Sequence, residues 1–446
     1  MKTILIIAGS DPSAGAGIQQ DLKVATLLGA YGLTVVTALT VQNTMGVQAV
    51  QPVAPEVVAA QLDSLLADIK IDAVKVGMLA NLRVVRAVAE RLGQAKIPLV
   101  VVDPVLAASD GSPLLDKAGI AVLKEELLPL TTLLTPNLIE AGSLIGRPLA
   151  SPEDMENAAR ELSCLGPGAV LVKGGHLPGT PVDVLWDGRN CYYLPGERLQ
   201  QPHTHGTGCA LAAALATLLA QGQALPEAVN QARELIAEAI RYGLPLGQGK
   251  GPINTLAPFA RERDRYRVLQ TLAGAADRLR MAEVDRLIPE VQSNLGYSTI
   301  FPRGPQDVAA FPGRILKTAK GVFIPLPSAF GASGHIAAVI LTAQQVFPAV
   351  RAAMNIRFFE DVERLAPLLH LTVASFDRRQ EPPEIKAREG GTLTWGVAQV
   401  LRPDEPPPDL IYDRGDWGKE PMIRVLGTDP LNVVEKVLAI NQAWRG

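Results

Sequence analysis

One short segment combines a glycine-rich turn with a cysteine at the start of a strongly helical stretch. Residues 203–219 read HTHGTGCALAAALATLL. Gly206, Thr207 and Gly208 form a loop that aims backbone N–H groups and the positive end of the next helix at an anion, which suits phosphate. Cys209 falls in the first helical turn, where the dipole is expected to favour the thiolate and lower the thiol pKa. The alternative is an ordinary glycine-rich turn beside a small buried cysteine, because such turns are common.

Polar residues also follow several predicted strands, where a parallel sheet places its ligand site. They are Asp11, Asp103, Glu140 and Lys173. Asp103 and Glu140 are two carboxylates near a phosphate loop, and such a pair suits Mg²⁺. Lys173 would balance the charge that builds on a transferred phosphoryl group. Each residue taken singly is typical of a cap or turn, so it is their shared placement that indicates phosphoryl transfer.

The second half of the chain concentrates cations beside glycines and strand ends, which predicts a second phosphate-rich ligand. The candidates are Arg314, His335, Arg378, Lys419 and Arg424. The sharpest segment is IYDRGDWGKEP (411–421), interpreted as a charged loop, with surface ion pairs as the alternative. His335 follows FGASG and is predicted to start a helix, where a lone histidine is often structural.

The elements that must position these residues alternate between strand-like and helical patterns. Strand-like runs of the first part lie at 3–9, 34–42, 73–79, 99–105, 131–137 and 169–175. Several are almost continuously apolar, as strands covered on both faces must be. Apolar residues recur at helical spacing between them, as at 55–69, and helices at 208–220 and 226–242 close the unit. This alternation predicts an α/β fold with a mostly parallel sheet.

A glycine- and proline-rich stretch at 246–259 predicts a domain end, so the first domain is placed at 1–258. Residues 259–289 resume helical spacing with charges of both signs, which is typical of a solvated helical linker. From 290 to 446 the pattern predicts a second, smaller α/β domain. Its strand-like runs lie at 322–326, 352–358, 371–377 and 409–415. The two halves show no internal repeat.

Composition excludes several classes of protein. The chain has 446 residues, 48% of them hydrophobic, and a formal net charge of −3. A near-balanced charge argues against a general binder of nucleic acid or of anionic membranes. The three cysteines, Cys164, Cys191 and Cys209, form no CxxC pair, which fits a reducing compartment. The start does not have the pattern of a secretory signal, and no apolar run reaches the length of a membrane helix. A cytoplasmic protein is expected.

The first part resembles hydroxymethylpyrimidine/phosphomethylpyrimidine kinase, a member of the ribokinase-like superfamily that works in thiamine biosynthesis. The motifs that carry the resemblance are AGSDPSAGAGIQQDLK (8–23), VTALTVQNT (36–44), KVGML (75–79), LLTPN (133–137), LVKGGH (171–176) and THGTGC (204–209). The resemblance implies a ribokinase-like αβα sandwich with a mostly parallel central sheet. It also implies ATP-dependent phosphorylation, with Mg²⁺, of the aminopyrimidine alcohol and then of its monophosphate. Pyridoxal kinase is a neighbouring possibility that the QNT and GTGC details disfavour.

The same resemblance assigns roles to individual residues. Cys209 would activate the acceptor hydroxyl, and Gln42 would read the aminopyrimidine through its carboxamide. Asp11 and Met78 would line that pocket, and Lys173 would contact phosphate. The loop 206–208 would form the anion hole, and Asp103 and Glu140 would organise Mg²⁺. One departure is GKGPIN (249–254), where the family often has histidine in place of Lys250.

From about Val291 onward the chain resembles the archaeal-type thiamine-phosphate synthase domain. The matching pieces are PGR, FGASGH, MNIR, SFDR, TWG and YDRGDWGKEPMIR. The resemblance implies that a pyrimidine diphosphate and a thiazole phosphate are joined, with release of pyrophosphate, so cations must hold the departing charge. Arg314 and His335 are the first choices for that role, followed by Arg378, Lys419 and Arg424. Asp377, Asp413 and Glu420 would hold Mg²⁺ or orient those cations.

An alternative class remains open for the second domain. The same family includes regulators in which this domain follows a DNA-binding helix-turn-helix, and no such unit is visible here. The domain could therefore sense thiamine phosphate and regulate a pyrimidine or pyridoxal-type kinase. The expected partners are small-molecule substrates, with no nucleic acid and no membrane, and a homodimer by analogy with ribokinase-like relatives.

Overall fold

The computed structural model describes residues 1–108, 111, 113–386 and 391–444. The chain divides into two compact units, one spanning Met1–Pro258 and one starting at Phe259. Among the described residues, no helix is both long enough and apolar enough to cross a membrane. Each unit is built around its own central sheet.

The first unit contains a nine-stranded sheet whose strand order is β3-β2-β1-β4-β5-β6-β7-β8-β9. The strands are β1 (Thr3–Ser10), β2 (Tyr31–Asn43), β3 (Gly46–Pro52), β4 (Ala73–Val76), β5 (Val100–Val102), β6 (Leu133–Leu134), β7 (Ala169–Val172), β8 (Val182–Trp186) and β9 (Cys191–Pro195). The six strands from β2 to β7 pair in parallel, and β3, β8 and β9 join antiparallel at the two edges. The order reverses between β1 and β4, which makes their carboxyl ends a topological switch point.

Helices cover both faces of this sheet, so the first unit has three layers. They are α1 (Gly17–Leu27), α2 (Pro55–Asp68), α3 (Leu82–Ala95), α4 (Lys117–Val122), α5 (Leu138–Ile145), α6 (Pro152–Ser163), α7 (Thr207–Ala220) and α8 (Leu225–Arg241). One apolar layer holds side chains of α2 to α6 against the sheet, and the other holds α1, α7 and α8. Because the parallel strands are covered on both sides, β1 and β4 are buried almost throughout.

The second unit contains a seven-stranded sheet with the order β14-β11-β10-β15-β18-β17-β16, beside a small β12–β13 hairpin. The strands are β10 (Leu295–Ser298), β11 (Val308–Ala310), β12 (Leu316–Thr318), β13 (Gly321–Phe323), β14 (Ala329–Phe330), β15 (Ala352–Arg357), β16 (Val373–Ser375), β17 (Leu410–Asp413) and β18 (Met422–Gly427). Neighbouring strands of the larger sheet run antiparallel, except that β16 and β17 are parallel.

Helices again lie on both faces of the larger sheet. They are α9 (Ala257–Arg280), α10 (Gly334–Val346), α11 (Val362–Leu368), α12 (Pro383–Lys386), α13 (Gly391–Val400) and α14 (Pro430–Trp444). One apolar layer joins α9, α11 and α14 to the sheet, and the other joins α10 and α13. Short helical turns of other types lie at 123–130, 285–287, 305–307 and 378–380.

The helical stretch that was predicted to be a solvated linker packs into the second unit. Val268, Leu272, Ala275 and Leu279 of α9 are fully buried in the same apolar layer as β10 and β15. Its charged residues occupy the remaining faces of the helix, which is why the sequence pattern resembles a solvated helix. The structure therefore gives residues 259–289 to the second unit and not to a separate linker.

Candidate functional site

The loop after β1 opens the candidate site of the first unit, and Asp11 organises it. Asp11 Oδ1 accepts hydrogen bonds from the Ser13 N–H (2.9 Å) and hydroxyl (2.7 Å), and Oδ2 accepts from the Gly15 and Ala16 N–H groups. Burial works to raise the pKa of Asp11, but hydrogen bonds from His205 and Ser13 outweigh it and lower that pKa. The ionised Asp11 carboxylate therefore fixes the conformation of this loop through hydrogen bonds from neighbouring residues. The loop lies at the switch point of the sheet.

His205 connects this loop to Gln42 of β2. Its Nε2 lies 3.0 Å from Asp11 Oδ2 and 3.1 Å from Gln42 Nε2. A ring nitrogen either donates or accepts, so when Nε2 carries the proton it donates to Asp11 and the Gln42 amide is left to bond elsewhere. Gln42 is half-buried, so its carboxamide is accessible for hydrogen bonds to the edge of a substrate ring. Nearby, Met78 is buried, and its sulfur lies 3.1 Å from the position that a β-carbon on Gly9 would take.

The glycine-rich loop before α7 packs tightly against the loop after β1. Gly206 has a φ of 83°, in the left-handed region. A β-carbon on Gly206 would lie 1.7 Å from the carbonyl oxygen of Gly15. No side chain among the described residues caps the start of α7, so its first N–H groups at Thr207 and Gly208 can meet an anion. The close contact holds this phosphate-type loop in position.

The Cys209 thiol lies in the first turn of α7, but its pKa is not lowered as the helix position predicts. Burial raises the pKa of Cys209 to about 11, while the Lys75 ammonium and a hydrogen bond from the Gly17 N–H act in the opposite direction. The expectation of a thiol already acidified by the helix dipole is therefore wrong for the free protein. The cost of burying a thiolate exceeds the stabilisation that Lys75 and the Gly17 N–H give it.

Asp103 and Lys173 form an ion pair beside the start of α7. Lys173 Nζ donates to Asp103 Oδ1 over 2.7 Å, and a β-carbon on Gly208 would lie within 3.3 Å of both side chains. Glu140 belongs to a capping box at the start of α5, where its carboxylate accepts from the Asn137 N–H at 2.7 Å. Burial raises the pKa of Glu140 to about 7, with Lys173 acting against the shift and Asp103 adding to it. The structure thus brings these three charges together.

The described residues contain no cluster of three or more His, Cys, Asp or Glu side chains that could hold a metal ion. Asp103 and Glu140 are instead two carboxylates that already accept hydrogen bonds from protein donors. Mg²⁺ usually takes one or two carboxylates and completes its octahedral shell with water and phosphate. The donor set fits an ion that arrives with a nucleotide phosphate and does not fit an all-protein cage.

In the second unit, Asp413 binds two of the arginines that were predicted to contact phosphate. Asp413 is fully buried at the end of β17 and accepts from Arg378 Nε at 2.6 Å and Nη2 at 3.2 Å. It also accepts from Arg424 Nη1 at 2.6 Å. Burial lowers the pKa of Arg424, whereas Asp413 acts to raise it. Arg424 stacks over the Phe376 ring at 5.4 Å from its centre. These arginines are anchored to a carboxylate in this structure.

The other candidates of the second unit lie on loops and helix ends. Arg314 is exposed and donates to the carbonyl oxygen of Val291. Glu420 accepts from the N–H groups of Glu290 (3.0 Å) and Val291 (3.2 Å), so these loops meet, with exposed Lys419 next in sequence. Glu420 serves there as a loop anchor, and Asp377 pairs with Arg379 at the exposed surface.

His335 is exposed in the first turn of α10, as predicted, after the Ser333 cap. None of the contacts found among the described residues joins it to Asp413. The structure therefore places Arg314, Lys419 and Glu420 around one set of loops and Arg378 and Arg424 around Asp413. No contact found among the described residues joins His335 to either set.

Three residues of the first unit were not singled out from the sequence. His205 lies in the THGTGC motif, but only Cys209 and the glycines of that motif were assigned a role from the sequence. Asp21 and Lys75 form a fully buried ion pair of 2.6 Å between α1 and β4. The sequence did contain one indication of an ion pair at Lys75. A lysine stands beside the apolar residues of the predicted strand KVGML, and a buried ammonium group requires a partner of opposite charge.

Comparison with known families gives two matches, one in each part of the chain. A family described as phosphomethylpyrimidine kinase matches residues 11–254. A family described as thiamine-phosphate synthase ThiN matches residues 271–439. The second match begins inside α9, in agreement with the packing of that helix. The predicted combination of a pyrimidine kinase with a thiamine-phosphate synthase domain is confirmed.

Individual relatives agree with the first match. The chain is 48% identical over 264 residues to the thiamine biosynthesis bifunctional protein ThiED of Geobacter sulfurreducens, an alignment that covers 59% of this chain and 54% of that protein. It is 44% identical over 257 residues to hydroxymethylpyrimidine/phosphomethylpyrimidine kinase of Synechococcus elongatus, which covers 57% of this chain and 97% of that protein.

Among solved structures, an ADP complex of Bacillus subtilis pyridoxal kinase is similar, with a TM-score of 0.54 and 37% sequence identity. It covers 58% of this chain and 99% of that one. The predicted ribokinase-like α/β fold of the first unit, followed by a second α/β unit, is confirmed. With a family match over more than half of its residues, the chain belongs to the phosphomethylpyrimidine kinase family and carries a thiamine-phosphate synthase domain behind the kinase.

Proposed function

We propose that the chain is a bifunctional enzyme of thiamine biosynthesis. Its first unit phosphorylates 4-amino-5-hydroxymethyl-2-methylpyrimidine and then its monophosphate, and its second unit joins the diphosphate to thiazole phosphate. The observation that carries this proposal is the pair of family matches, each of which falls within one compact unit. Because the product of the first unit is the substrate of the second, the fusion keeps the two catalysts at a fixed ratio and in proximity.

In the kinase reaction, the acceptor hydroxyl attacks the γ-phosphorus of ATP. The new oxygen–phosphorus bond forms while the bond to the ADP oxygen breaks, and the hydroxyl proton passes to the Cys209 thiolate. Lys173 and the N–H groups of 206–208 meet the charge that spreads over the transferred phosphoryl oxygens. Gln42 orients the aminopyrimidine, with Asp11 shaping the loop below it and Met78 packing nearby.

ATP is the proposed phosphoryl donor, and the ADP complex of the similar pyridoxal kinase supports a nucleotide site in this fold. Asp103 and Glu140 are the carboxylates that would hold Mg²⁺. That ion would supply charge neutralisation between the phosphates. The proximity of these carboxylates to Lys173 supports this assignment.

In the synthase reaction, the thiazole nitrogen attacks the CH₂ of the pyrimidine diphosphate and pyrophosphate departs. Arg314, Lys419 and His335 approach the departing group from exposed positions, and Arg314 gives up its hydrogen bond to the Val291 carbonyl to do so. Arg378 and Arg424 are held by Asp413, so they would provide a fixed positive surface whose charge is partly neutralised. Cations aimed at charge that develops in the transition state lower the barrier.

We also propose that the enzyme is cytoplasmic and forms a homodimer. The three cysteines are all free thiols, which suits a reducing compartment. Leu39 and Val41 of β2, and Met45 after it, are each more than half exposed, and such apolar surface suits a protein contact. Analytical ultracentrifugation of the full chain would test the dimer.

One assay tests the whole proposal. The full chain is incubated with the aminopyrimidine alcohol, ATP, Mg²⁺ and thiazole phosphate, and each phosphorylated intermediate is followed by chromatography. The monophosphate, the diphosphate and thiamine phosphate should appear in that order. A protein that makes none of them contradicts the proposal.

Two competing functions have distinct outcomes. The likeness to pyridoxal kinase favours pyridoxal as a rival acceptor, and a higher kcat/KM for pyridoxal than for the pyrimidine alcohol would establish it. A sensing second unit would bind thiamine phosphate and change the kinase rate without turning over diphosphate and thiazole phosphate. Turnover of that pair by the full chain would exclude a purely sensing role.

A further inference from the structure

A buried ion pair lies beneath the candidate kinase site, and none of the roles above uses it. Lys75 Nζ and Asp21 Oδ2 are 2.6 Å apart, and both side chains are 0% exposed. Removing two charges from water is costly, and a well-packed apolar pair is often as stable or more stable. A contribution to stability alone is therefore a weak explanation for this ion pair between β4 and α1.

The Lys75 side chain is directed toward the candidate site. Lys75 lies in the middle of β4, on the sheet face that α1 and α7 cover. Its Nζ lies 2.7 Å from the position that a β-carbon on Gly77 would take. The side chain therefore runs along the strand toward its carboxyl end, and the glycine at 77 leaves the space that the ammonium group occupies.

Asp21 connects the same pair to Cys209 through α1. Gly17 and Asp21 are four residues apart and share one face of that helix. The Gly17 N–H donates to the Cys209 sulfur, and Asp21 holds Lys75 one turn further on. Among the described residues, Asp21 Oδ1 has no hydrogen-bond partner. The carboxylate is thus only partly compensated, as expected for a group kept for a purpose other than stability.

Among the described residues, charged groups on several surrounding elements interact electrostatically with the Cys209 thiol. They are Lys75 on β4, Asp21 on α1, Asp103 after the end of β5 and Lys173 after the end of β7. Among these, Lys75 has the largest influence on the thiol, and it favours the thiolate. Since burial opposes the thiolate, a fixed cation is required where a proton is to be accepted.

We propose that Lys75, held in place by Asp21, is a positioning residue of the kinase reaction that stabilises negative charge on the Cys209 sulfur. This inference rests on the proposed function, in which Cys209 accepts the proton of the acceptor hydroxyl. The fixed ammonium lets a thiol in a water-poor site exist as a thiolate often enough to react. Lys75 itself touches no substrate.

The test measures the Cys209 thiol directly. In a Cys164→Ser/Cys191→Ser background, Cys209 is the only thiol of the chain. The rate of alkylation by iodoacetamide is followed from pH 7 to pH 10, together with kcat for the pyrimidine alcohol over the same range. Lys75→Met should slow alkylation at pH 8 by about tenfold or more, since one unit of thiol pKa is tenfold in thiolate. The kcat profile should move to higher pH.

A double variant separates this role from folding. Lys75→Met leaves Asp21 buried without its partner, whereas Lys75→Met/Asp21→Leu removes both charges and should recover the thermal midpoint. The double variant should remain slow in alkylation and in kcat. Recovery of both rates would overturn the inference, as would a folded Lys75→Met protein with unchanged alkylation. An inactive wild-type protein would instead contradict the proposed kinase function, because alkylation needs no substrate.

Discussion

Asp103 and Lys173 are joined by a hydrogen-bonded ion pair of 2.7 Å, and Gly208 packs against both side chains. Asp103 directly follows β5 and Lys173 directly follows β7, and these two strands flank β6 in the sheet. It therefore fixes the Lys173 ammonium at the start of α7, where the proposed phosphoryl group must be met. A cation that is already oriented loses little conformational freedom when the substrate binds.

Cys209→Ala should separate the two activities. Without the sulfur, phosphorylation of the pyrimidine alcohol should fall by at least about a hundredfold, which is the low end of what general base catalysis contributes. Conversion of supplied pyrimidine diphosphate and thiazole phosphate should continue at the wild-type rate, because the synthase match starts at residue 271. Both rates can be measured on one preparation. Loss of both in a folded variant would argue against two independent sites.

Gly206→Ala should disrupt the phosphate-type loop more than expected from the strain of a positive φ alone. A β-carbon there would collide with the Gly15 carbonyl, whereas Gly222 has a similar positive φ of 92° and nothing within 4 Å. Gly222→Ala should cost about 1 kcal/mol of stability with normal activity. Gly206→Ala should lower the thermal midpoint further and remove most kinase activity. Equal effects in the two variants would show that the Gly15 contact is unimportant.

The Asp11 carboxylate should make the first unit sensitive to acid. Hydrogen bonds from His205 and Ser13 outweigh burial and keep the pKa of Asp11 below its ordinary value of 3.8. The unfolded chain then binds more protons, so this stabilisation is complete above about pH 4 and is lost as pH falls through the folded pKa. In urea unfolding from pH 3 to pH 6, the advantage of wild type over Asp11→Asn should shrink at the acidic end. A constant difference would contradict this origin.

Asp413→Asn should destabilise the second unit, because it leaves two guanidinium groups beside a neutral amide. Breaking a buried ion pair from one side typically costs about 3–5 kcal/mol. The neighbouring Arg379 offers a matched control, since it pairs with Asp377 at the surface. Arg379→Met should leave the calorimetric transition unchanged. Synthase turnover should fall in Asp413→Asn while kinase turnover stays normal, and a normal synthase rate would remove Asp413 from the second site.

The sequence was informative about the first unit where burial imposes a pattern. Strands β1, β4 and β7 are covered on both faces, so their continuous apolar runs were recognised. Strands β3, β8 and β9 lie at the antiparallel edges, and their partly exposed residues leave no such run. The central strand β18 was not among the predicted strands, and Arg424 interrupts its apolar residues. Its partner Asp413 is eleven positions away, across a turn.

The candidate site shows a similar limit. Residue types and motif order were enough to predict that Cys209, Lys173 and Asp103 lie near one another. The thiol pKa was not predictable, because the helix position is visible in the sequence and the burial around the sulfur is not. Likewise, the sequence contains Asp21 and Lys75 without any indication that they meet, since 54 positions separate them along the chain.

The packing of α9 determines where the polypeptide could be divided. Four apolar side chains of that helix are fully buried against the second sheet. A truncated gene that begins at codon 290 would leave their binding surface open to water, and the product should aggregate. Cutting after Pro258 instead keeps the helix with the sheet it covers. Swapping catalytic modules between enzymes of this type should therefore respect the earlier junction.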